Sequence, residues 1–383
     1  MTTRKLRVGV VGVGHLGRHH ARILAAMPDV DLVGVVDSRR EQAEAVARAC
    51  GASVEAGTDH RDLLGRVDAV SVAVPTRFHR LVAGDFLDRG IPCMVEKPLA
   101  TTLLEAEELV GLADGRGVPL QVGHIERFNP ALATLDGLAF RPKYIAAERL
   151  GTYTFRSTDI GVVLDLMIHD IDLILSMISA PVRSVSAVGV GVFGGFEDVA
   201  NARVEFADGC VANLTASRAS FQAVRKMRLY GPEGYATLDF ATRQGTLVRP
   251  SDRLRRGEVD LDGLDLAQPA AVKERLFGKI LRVDQVQGEG REPLALELED
   301  FVQAVRTGGR PRVTGQDGLR AIALADQILR SLAAHAWEGS PDGPVGPHHL
   351  PEPLVGTVPI QNLAGPMSWR HRGLRADSNV PSS

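Results

Sequence analysis

The sequence predicts an α/β protein in which a doubly wound parallel sheet is followed by an α+β domain with a mostly antiparallel sheet. Strand-like and helix-like segments alternate over the first third, short strands joined by tight turns dominate the middle, and two amphipathic helices follow. With 383 residues, the chain is long enough for two hydrophobic cores. The pattern predicts domains over 1–123 and 124–337, and a Pro- and Gly-rich, poorly ordered tail over 338–383.

The first third contains valine-rich segments that are typical of strands buried on both faces. They include "LRVGVVGVG", "VDLVGVVD" and "AVSVAVP", and helical patterns such as "REQAEAVARAC" separate them. Strands that alternate with helices usually pair in parallel, because a parallel connection has to cross the sheet. We therefore expect helices on both faces of one parallel sheet.

The pattern changes at about residue 140. The segments "VRSVSAVGVGVF" and "KMRLYGPEGYATLDF" are strand-like, and turns such as Ala-Asp-Gly and Gly-Pro-Glu-Gly separate their neighbours. Tight turns between strands predict antiparallel pairs. The later segments "PLALELEDFVQAVRTG" and "DGLRAIALADQILRSLAAHAW" have helical periodicity and are expected to close this domain.

Composition disfavours several classes of protein. A net charge of −3 gives no reason to expect a nucleic acid or a membrane surface as partner. The three cysteines lack CxxC spacing, which predicts reduced thiols, a cytoplasmic location and no metal site. The N-terminus runs directly into a strand pattern rather than a signal peptide, and the apolar run 164–178 is short and interrupted by charge.

A glycine-rich turn with the spacing GxGxxG follows the first predicted strand. Its glycines allow a tight turn, close approach of a pyrophosphate and close helix–strand packing. The second strand ends at Asp37, about 20 residues after Gly17, where a carboxylate binds ribose hydroxyls. This context predicts NAD, since Asp37 would repel a 2′-phosphate, although Arg39 and Arg40 could hold that phosphate instead. The expected contacts are Gly12, Gly14, His15, Leu16, Gly17, Asp37 and Ser38.

A second strand end, in "VAVPTRFH", is expected to lie near the nicotinamide half of the cofactor. Pro75 and Thr76 end the strand, and His79 is a further candidate for lining the site. The alternative for His79 is an ordinary histidine at the start of a helix.

An apolar helical run, "GVVLDLMIHDIDLILSMI", contains an acidic and imidazole stripe. Asp165, His169 and Asp172 share one face at helical spacing, and Ser176 extends it. Such a helix is expected to be buried, so its polar stripe needs partners or a polar cavity. The pattern alone leaves open whether the stripe is a structural network or a functional site.

The ordered set of GxGxxG, "VAVPTRFH", "VEKP" and Asp-x-x-x-His-x-x-Asp resembles a known family. It is similar to the glucose–fructose oxidoreductase, inositol dehydrogenase and rhizopine-catabolism (Gfo/Idh/MocA) oxidoreductases over roughly residues 5–336. The resemblance implies an N-terminal Rossmann domain, a C-terminal domain with a large open sheet, NAD(P), a sugar or polyol substrate, and a homodimer or homotetramer.

Family roles carry over to the matching positions. Lys97 matches the lysine near the nicotinamide and the reacting hydroxyl, and Glu96 precedes it as a cofactor contact. His169 matches the acid/base histidine, and Asp165 matches the acid that contacts substrate one turn earlier. Asp172 is expected to orient His169 from one turn away.

The segments "QVGHIERFNP" and "ERLGTYTFRSTDIGVVLDLMIHDID" are most similar to members that oxidise the 3-hydroxyl of UDP-N-acetylglucosamine. In those systems an aminotransferase then acts on the keto sugar for lipid A synthesis. A diphosphate needs cations or hydrogen-bond donors. The candidates are Arg127, Asn129, Arg149 and Arg156, with a surface or interdomain ion pair as the alternative for each arginine.

Two other functions stay open at this point. One is a dehydrogenase of another sugar, inositol or a UDP-sugar acid. The other is a dinucleotide-binding regulator without catalysis, although such a regulator would need neither Lys97 nor His169.

Overall fold

The computed structural model describes residues 4–136, 138, 140–154, 160–193, 195–258, 269–288, 290–337 and 345–349. The strands are β1 (Leu6–Val11), β2 (Val30–Val36), β3 (Glu55–Gly57), β4 (Ala69–Val72), β5 (Cys93–Glu96), β6 (Leu120–Gly123), β7 (Tyr144–Leu150), β8 (Val182–Gly191), β9 (Val199–Phe206), β10 (Val211–Ser217), β11 (Val224–Gly231), β12 (Gly234–Asp239), β13 (Gln244–Pro250), β14 (Leu281–Gln287) and β15 (His348–His349).

The α-helices are α1 (Gly17–Ala26), α2 (Arg40–Cys50), α3 (His79–Leu87), α4 (Leu103–Arg116), α5 (Ile168–Met177), α6 (Asp252–Arg255), α7 (Pro269–Arg275), α8 (Pro293–Thr307) and α9 (Gly315–Ala333). Short 3-10 turns cover His60–Leu63, Thr76–Phe78, Ile125–Phe128 and Pro130–Leu135, and π-helical turns cover Val163–Met167 and Leu276–Ile280. Within the described residues, no helix is both long enough and apolar enough to cross a membrane.

The first sheet has six strands in the order β3-β2-β1-β4-β5-β6, and all its pairs are parallel. This confirms the predicted doubly wound sheet. The strand order reverses between β1 and β4, so the loops after these strands diverge and leave a crevice at their carboxyl ends. The predicted glycine turn and the "PTRFH" segment both follow strands at that crevice.

The second sheet has the order β14-β13-β12-β11-β7-β10-β9-β8-β15. The β7–β10 and β8–β15 pairs are parallel and its other pairs are antiparallel, as the turn-rich sequence predicted. Buried residues alternate along β9, which is the pattern of a sheet with one covered face. Helices α5 and α9 lie on the covered face.

Helix α8 leaves the second domain and packs on the first. Leu298 and Phe301 are fully buried in one cluster with Val8, Val10 and Leu24. The sequence predicts that this helix closes the second domain, and the structure differs because helical periodicity does not specify which core a helix joins. The domain boundary at 123/124 stays a prediction. The core of the first domain contains residues from both sides of this boundary.

The predicted helical run over 161–178 has two parts. A π-helical turn, Val163–Met167, comes first, and α5 starts at Ile168. A π turn changes the angular spacing of side chains, so Asp165 is offset from the ideal α-helical stripe. Such turns often occur at functional sites.

Residues 345–349, which belong to the predicted tail over 338–383, contact the second domain. The Trp337 Nε1 atom donates a hydrogen bond of 2.7 Å to the Gly346 carbonyl oxygen, and β15 pairs with β8. These residues therefore extend the edge of the second sheet. The rest of the predicted tail lies outside the described residues.

The packing of α8 gives a stability prediction. Phe301→Ala should lower the free energy of unfolding by about 3–5 kcal/mol, because it opens a cavity where Phe301 is fully buried. Phe221→Ala is the matched control, since Phe221 is 97% exposed and its loss should cost less than about 0.5 kcal/mol. Urea unfolding followed by fluorescence and circular dichroism measures both, and equal effects of the two substitutions would contradict this account of α8.

Candidate active site

The glycine turn after β1 has the shape needed to hold a pyrophosphate. Gly12 has φ of +84°, and a Cβ there would lie 2.7 Å from the Ala73 carbonyl carbon and oxygen. A Cβ on Gly17 would overlap the Gly12 carbonyl oxygen. In contrast, a Cβ on Gly14 would meet no heavy atom within 4 Å, so the turn has open space at its middle glycine. His15 and Leu16 are exposed beside that space.

Asp37 lies against this turn at the end of β2. Its Oδ2 atom accepts a hydrogen bond of 3.1 Å from the Val13 amide, and its Oδ1 atom accepts one of 3.0 Å from the Arg39 amide. The carboxylate is thereby fixed beside the glycines, with Ser38 exposed next to it. The arrangement fits a dinucleotide, with the glycine turn for the pyrophosphate and Asp37 for ribose hydroxyls.

His79 has a different position from the predicted one. It is 1% exposed, with Nδ1 2.9 Å from the Pro98 carbonyl oxygen and Nε2 2.9 Å from the Val74 carbonyl oxygen. Both ring nitrogens are used by the backbone, so His79 joins the loops after β4 and β5 rather than lining the cleft. Pro75 and Thr76, at the start of the same segment, retain some exposure.

Glu96 is also a supporting residue rather than an evident cofactor contact. Its Oε1 atom lies 3.0 Å from Nε2 of the buried His20, whose Nδ1 lies 2.8 Å from the Ser71 hydroxyl. Its Oε2 atom accepts a hydrogen bond of 3.2 Å from the Lys97 amide. This buried network holds the end of β5 and thereby the start of the Lys97 side chain. The sequence offered no signal for it, because its members come from three separate segments.

Lys97 and Asp165 meet across the two domains. The Lys97 Nζ atom donates a hydrogen bond of 2.7 Å to the Asp165 carbonyl oxygen and lies 3.3 Å from its Oδ1 atom. The peptide bond between Lys97 and Pro98 is cis. Both side chains are half-buried, at 15% and 21% exposure. The end of β5 and the π-helical turn therefore bring together two of the three residues predicted to be catalytic.

His169 follows Asp165 on the same helical segment. It is half-buried, and its Nδ1 atom is shielded from solvent and has no hydrogen-bond partner among the described residues. Burial, together with the positive charges of Lys97 and Arg149, holds the pKa of His169 well below its usual range. The imidazole is therefore neutral at pH 7 and able to accept a proton.

The positions of Arg149 and Asn129 differ from those expected for a diphosphate site. Arg149 is 4% exposed; it makes two hydrogen bonds to Asp170, of 3.0 and 2.9 Å, and one of 2.8 Å to Glu126. The Asn129 amide donates to Glu126 and to the Phe240 carbonyl oxygen, while its oxygen accepts from the Ala131 amide. Both side chains are thus engaged inside the second domain, where partners distant in the sequence occupy their polar atoms.

The Arg127 side chain also lies close to carboxylates of the protein itself. Its Nε atom lies 3.3 Å from Oδ2 of Asp172, and its Nη2 atom lies 3.9 Å from Oδ1 of Asp317. The Arg127–Asp172 pair is close but lacks the alignment of a hydrogen bond. Asp172 therefore pairs with Arg127, which corrects the expectation that it orients His169. The remaining diphosphate candidate, Arg156, lies outside the described residues.

Sequence reasoning missed His124, which follows β6. Its ring lies edge-on to that of His169, with ring centroids 6.5 Å apart. Motif order alone could not reveal this contact, although His124 is part of the "QVGHIERFNP" segment. No group of three or more His, Cys, Asp or Glu side chains that could hold a metal ion occurs within the described residues.

Comparison with known proteins identifies the class of protein to which the chain belongs. The model of an oxidoreductase family with an NAD-binding Rossmann fold matches residues 6–124, and the Gfo/Idh/MocA C-terminal domain matches residues 139–237. The chain belongs to the Gfo/Idh/MocA family. It is an NAD-dependent oxidoreductase that acts on CH–OH groups.

Individual relatives are similar over most of their length. UDP-N-acetylglucosamine 3-dehydrogenase from Acidithiobacillus ferrooxidans is 37% identical over 330 residues, covering 86% of this chain and 98% of the relative. A solved structure of that enzyme aligns with a TM-score of 0.74, at 35% identity, over 86% of this chain and 98% of that one. Inositol 2-dehydrogenase from Rhizobium meliloti is 24% identical over 346 residues, or 86% of this chain and 97% of the relative.

The open space at Gly14 gives a prediction that separates folding from binding. Gly14→Ala should leave the melting temperature without cofactor unchanged, since the added methyl group meets no protein atom. It should weaken NAD binding about tenfold or more, because the pyrophosphate has to approach the backbone there. Calorimetric titration and thermal melts measure the two quantities. Gly111→Ala, also without a heavy atom within 4 Å, is the control, and equal NAD affinity in both variants would contradict the predicted pyrophosphate position.

Proposed function

We propose that this chain oxidises the 3-hydroxyl of UDP-N-acetylglucosamine to the 3-keto nucleotide sugar with NAD. The observation that carries the proposal is its similarity, over nearly the full length of the relative, to UDP-N-acetylglucosamine 3-dehydrogenase. The contact between Lys97 and Asp165, with His169 on the same helical segment, supports it, because alcohol oxidation needs a positioned base beside a cation. These residues also argue against a regulator without catalysis.

His169 is assigned as the base. Oxidation removes a proton from the hydroxyl oxygen and a hydride from the carbon that carries it, so a C=O double bond replaces the O–H and C–H bonds. Neutral His169 accepts the proton. NAD, when bound at the glycine turn, supplies the hydride acceptor.

Lys97 is assigned to hold and polarise the reacting hydroxyl. Its ammonium group favours developing negative charge on the substrate oxygen. Asp165 fixes the ammonium group through its carbonyl oxygen and carboxylate, and the same carboxylate can accept a hydrogen bond from a neighbouring sugar hydroxyl. The two domains must therefore stay in register for the reaction, since Lys97 and Asp165 come from different ones.

The nucleotide part of the substrate needs separate contacts. Arg149 and Asn129 use their polar atoms in internal hydrogen bonds, so we no longer propose them as diphosphate contacts. Arg127 and Arg156 remain the proposed diphosphate contacts. This loss of two candidates favours a second function, the oxidation of a free polyol such as inositol, which has no diphosphate. A family member with that substrate is among the relatives.

The open face of the second sheet is proposed to form a homodimer or homotetramer interface. Tyr230 stacks between Tyr144 and Tyr235, with ring centroids 5.7 and 5.8 Å apart, and Tyr144 and Tyr230 are 37% and 38% exposed. Aromatic side chains are enriched at interfaces. Light scattering would detect the assembly, and a monomer at micromolar concentration would contradict it.

We further propose that the enzyme acts in the cytoplasm and that an aminotransferase of the same pathway uses its ketone product as substrate.

Product identity tests the substrate. The enzyme with NAD and UDP-N-acetylglucosamine should form NADH and a ketone that incorporates deuterium at C3 on reduction with borodeuteride, as measured by mass spectrometry. myo-Inositol and a UDP-sugar acid serve as parallel substrates under the same conditions. Oxidation of either one without a 3-keto product from UDP-N-acetylglucosamine would move the enzyme to the second function.

Substitution tests the catalytic residues. Lys97→Met and His169→Ala should each bind NAD normally and lose about 10²- to 10⁴-fold in turnover, because each loses the polarising cation or the base. Lys143→Met is the matched control, since Lys143 is an exposed lysine of the second domain. Formation of NADH and calorimetric binding of NAD provide the measurements. Turnover within a few-fold of wild type in both variants would contradict the assignment.

A further inference from the structure

We infer that Arg225, near the start of β11, binds the diphosphate of the nucleotide-sugar substrate. The inference rests on the proposed function, since the free polyol of the second function has no diphosphate. Arg225 joins Arg127 and Arg156 in this role and takes the place of Arg149 and Asn129, whose polar atoms are used inside the second domain.

The first observation is the face of the sheet from which Arg225 projects. Arg225 is the direct cross-strand neighbour of Arg149 in the antiparallel β7–β11 pair. Directly opposed residues project from the same face of a sheet, with Cβ atoms about 4.5–5.5 Å apart. Arg149 binds Asp170, which follows His169 on the catalytic helical segment. The Arg225 side chain therefore lies on the face of the sheet that carries the proposed base.

The second observation is that Arg225 is exposed and has no hydrogen-bond or ion-pair partner among the described residues. The other two basic residues of β11 project from the opposite face, and each has a carboxylate partner. The Lys226 Nζ atom lies 3.4 Å from Oδ2 of Asp239. The Arg228 Nη1 atom lies 3.6 Å from Oε2 of Glu148. Within the described part of the chain, the cation that β11 leaves unpaired is thus the one on the side of the active site.

The third observation is an uncompensated pair of like charges. Arg149 and Arg225 lie directly opposite each other on neighbouring strands, an arrangement that destabilises a sheet. Both carboxylate oxygens of Asp170 accept hydrogen bonds from Arg149. Those of Glu126 accept hydrogen bonds from Arg149 and Asn129. These two carboxylates have no oxygen left for Arg225, so an anionic ligand is needed to compensate its charge. The planar guanidinium suits two phosphate oxygens.

The backbone of Arg225 is fixed on both sides. Strand β11 lies between β7 and β12 in the interior of the second sheet. The Arg225 carbonyl oxygen accepts a hydrogen bond of 2.9 Å from the Phe240 amide. A side chain on an interior strand starts from a better-defined position than one on a loop. This precision suits a contact that has to hold the substrate while a different part of it reacts.

The position of Arg225 relative to His169 matches the layout of the substrate. In UDP-N-acetylglucosamine the diphosphate is attached at C1 and the reacting hydroxyl at C3, so one sugar ring separates the diphosphate from the base. The Arg149–Asp170 ion pair lies between Arg225 and His169 in the same way. The charge of Arg225 also reaches the base, because it lowers the pKa of His169 after the larger effects of burial, Lys97 and Arg149.

Calorimetric titration of the full chain tests the contact, with UDP as the probe. Arg225→Gln removes the cation and should raise the Kd for UDP about tenfold or more, because a charge-assisted hydrogen bond to phosphate is lost. Arg225→Lys keeps the charge without the planar fork and should restore part of the affinity. The Kd for NAD, whose own diphosphate binds at the glycine turn, should stay within about twofold in both variants.

Arg228→Gln is the matched control. It removes the same charge from the same strand, but on the opposite face, and should leave the Kd for UDP within about twofold. An equal loss of UDP affinity in Arg228→Gln and Arg225→Gln would show a general effect of net charge and would overturn the assigned contact.

Stability and kinetics separate binding from other roles. Because Arg225 is unpaired and faces a like charge, Arg225→Gln should keep or raise the melting temperature without ligand. It should raise the KM for UDP-N-acetylglucosamine about tenfold or more and leave kcat within about threefold. A lower melting temperature with an unchanged Kd for UDP would show a structural residue. A lower kcat with an unchanged Kd for UDP would assign Arg225 to the chemistry at His169, and either result would overturn the diphosphate contact.

The wild-type enzyme distinguishes the two levels of the proposal. If it binds UDP and oxidises UDP-N-acetylglucosamine, an unchanged Kd for UDP in Arg225→Gln refutes the Arg225 contact alone. Failure of the wild type to bind UDP, together with oxidation of a free polyol, would refute the proposed function and the Arg225 contact with it.

Discussion

The buried guanidinium of Arg149 is the interaction on which the catalytic helix depends. A charge removed from water is costly unless it is fully paired, and Arg149 meets two carboxylates, Asp170 on α5 and Glu126 in the turn after β6. Asp170 directly follows His169 in the chain. The ion pairs that anchor Asp170 to β7 therefore also fix the backbone from which the base projects.

The same burial of charge explains the chemistry of the site. Burial, together with the positive charges of Lys97 and Arg149, lowers the pKa of His169 and favours its neutral form. One set of cations thus serves two purposes, since it holds the helix in place and helps to keep the imidazole in its neutral form. A site assembled from apolar side chains of equal volume would hold the helix without this electrostatic effect.

Much of the architecture could be predicted because it is local. Valine-rich strands alternating with helices predicted the parallel sheet, and the spacing of Gly12, Gly14 and Gly17 before Asp37 predicted a cofactor turn that the geometry fits. Short strands with tight turns likewise predicted the second, mostly antiparallel sheet.

The contacts of several site residues could not be predicted, because they involve partners far apart in the chain. Arg149 and Asn129 have the chemistry of phosphate ligands, and only the fold reveals that Glu126 already binds both. His79 has the chemistry of a site residue, and only the fold places a carbonyl oxygen at each of its nitrogens. The pairing of Asp172 with Arg127, rather than with its helical neighbour His169, has the same origin.

The return of α8 to the first domain has a consequence for how the chain is made. The first sheet is complete once the ribosome has passed residue 123, but its core also needs Leu298 and Phe301. Those residues are synthesised roughly 180 residues later, which corresponds to about 10–40 s of translation. During that interval the nascent first domain exposes an apolar face, so it should be a substrate for chaperones, and a fragment ending at residue 123 should be a poor autonomous folding unit.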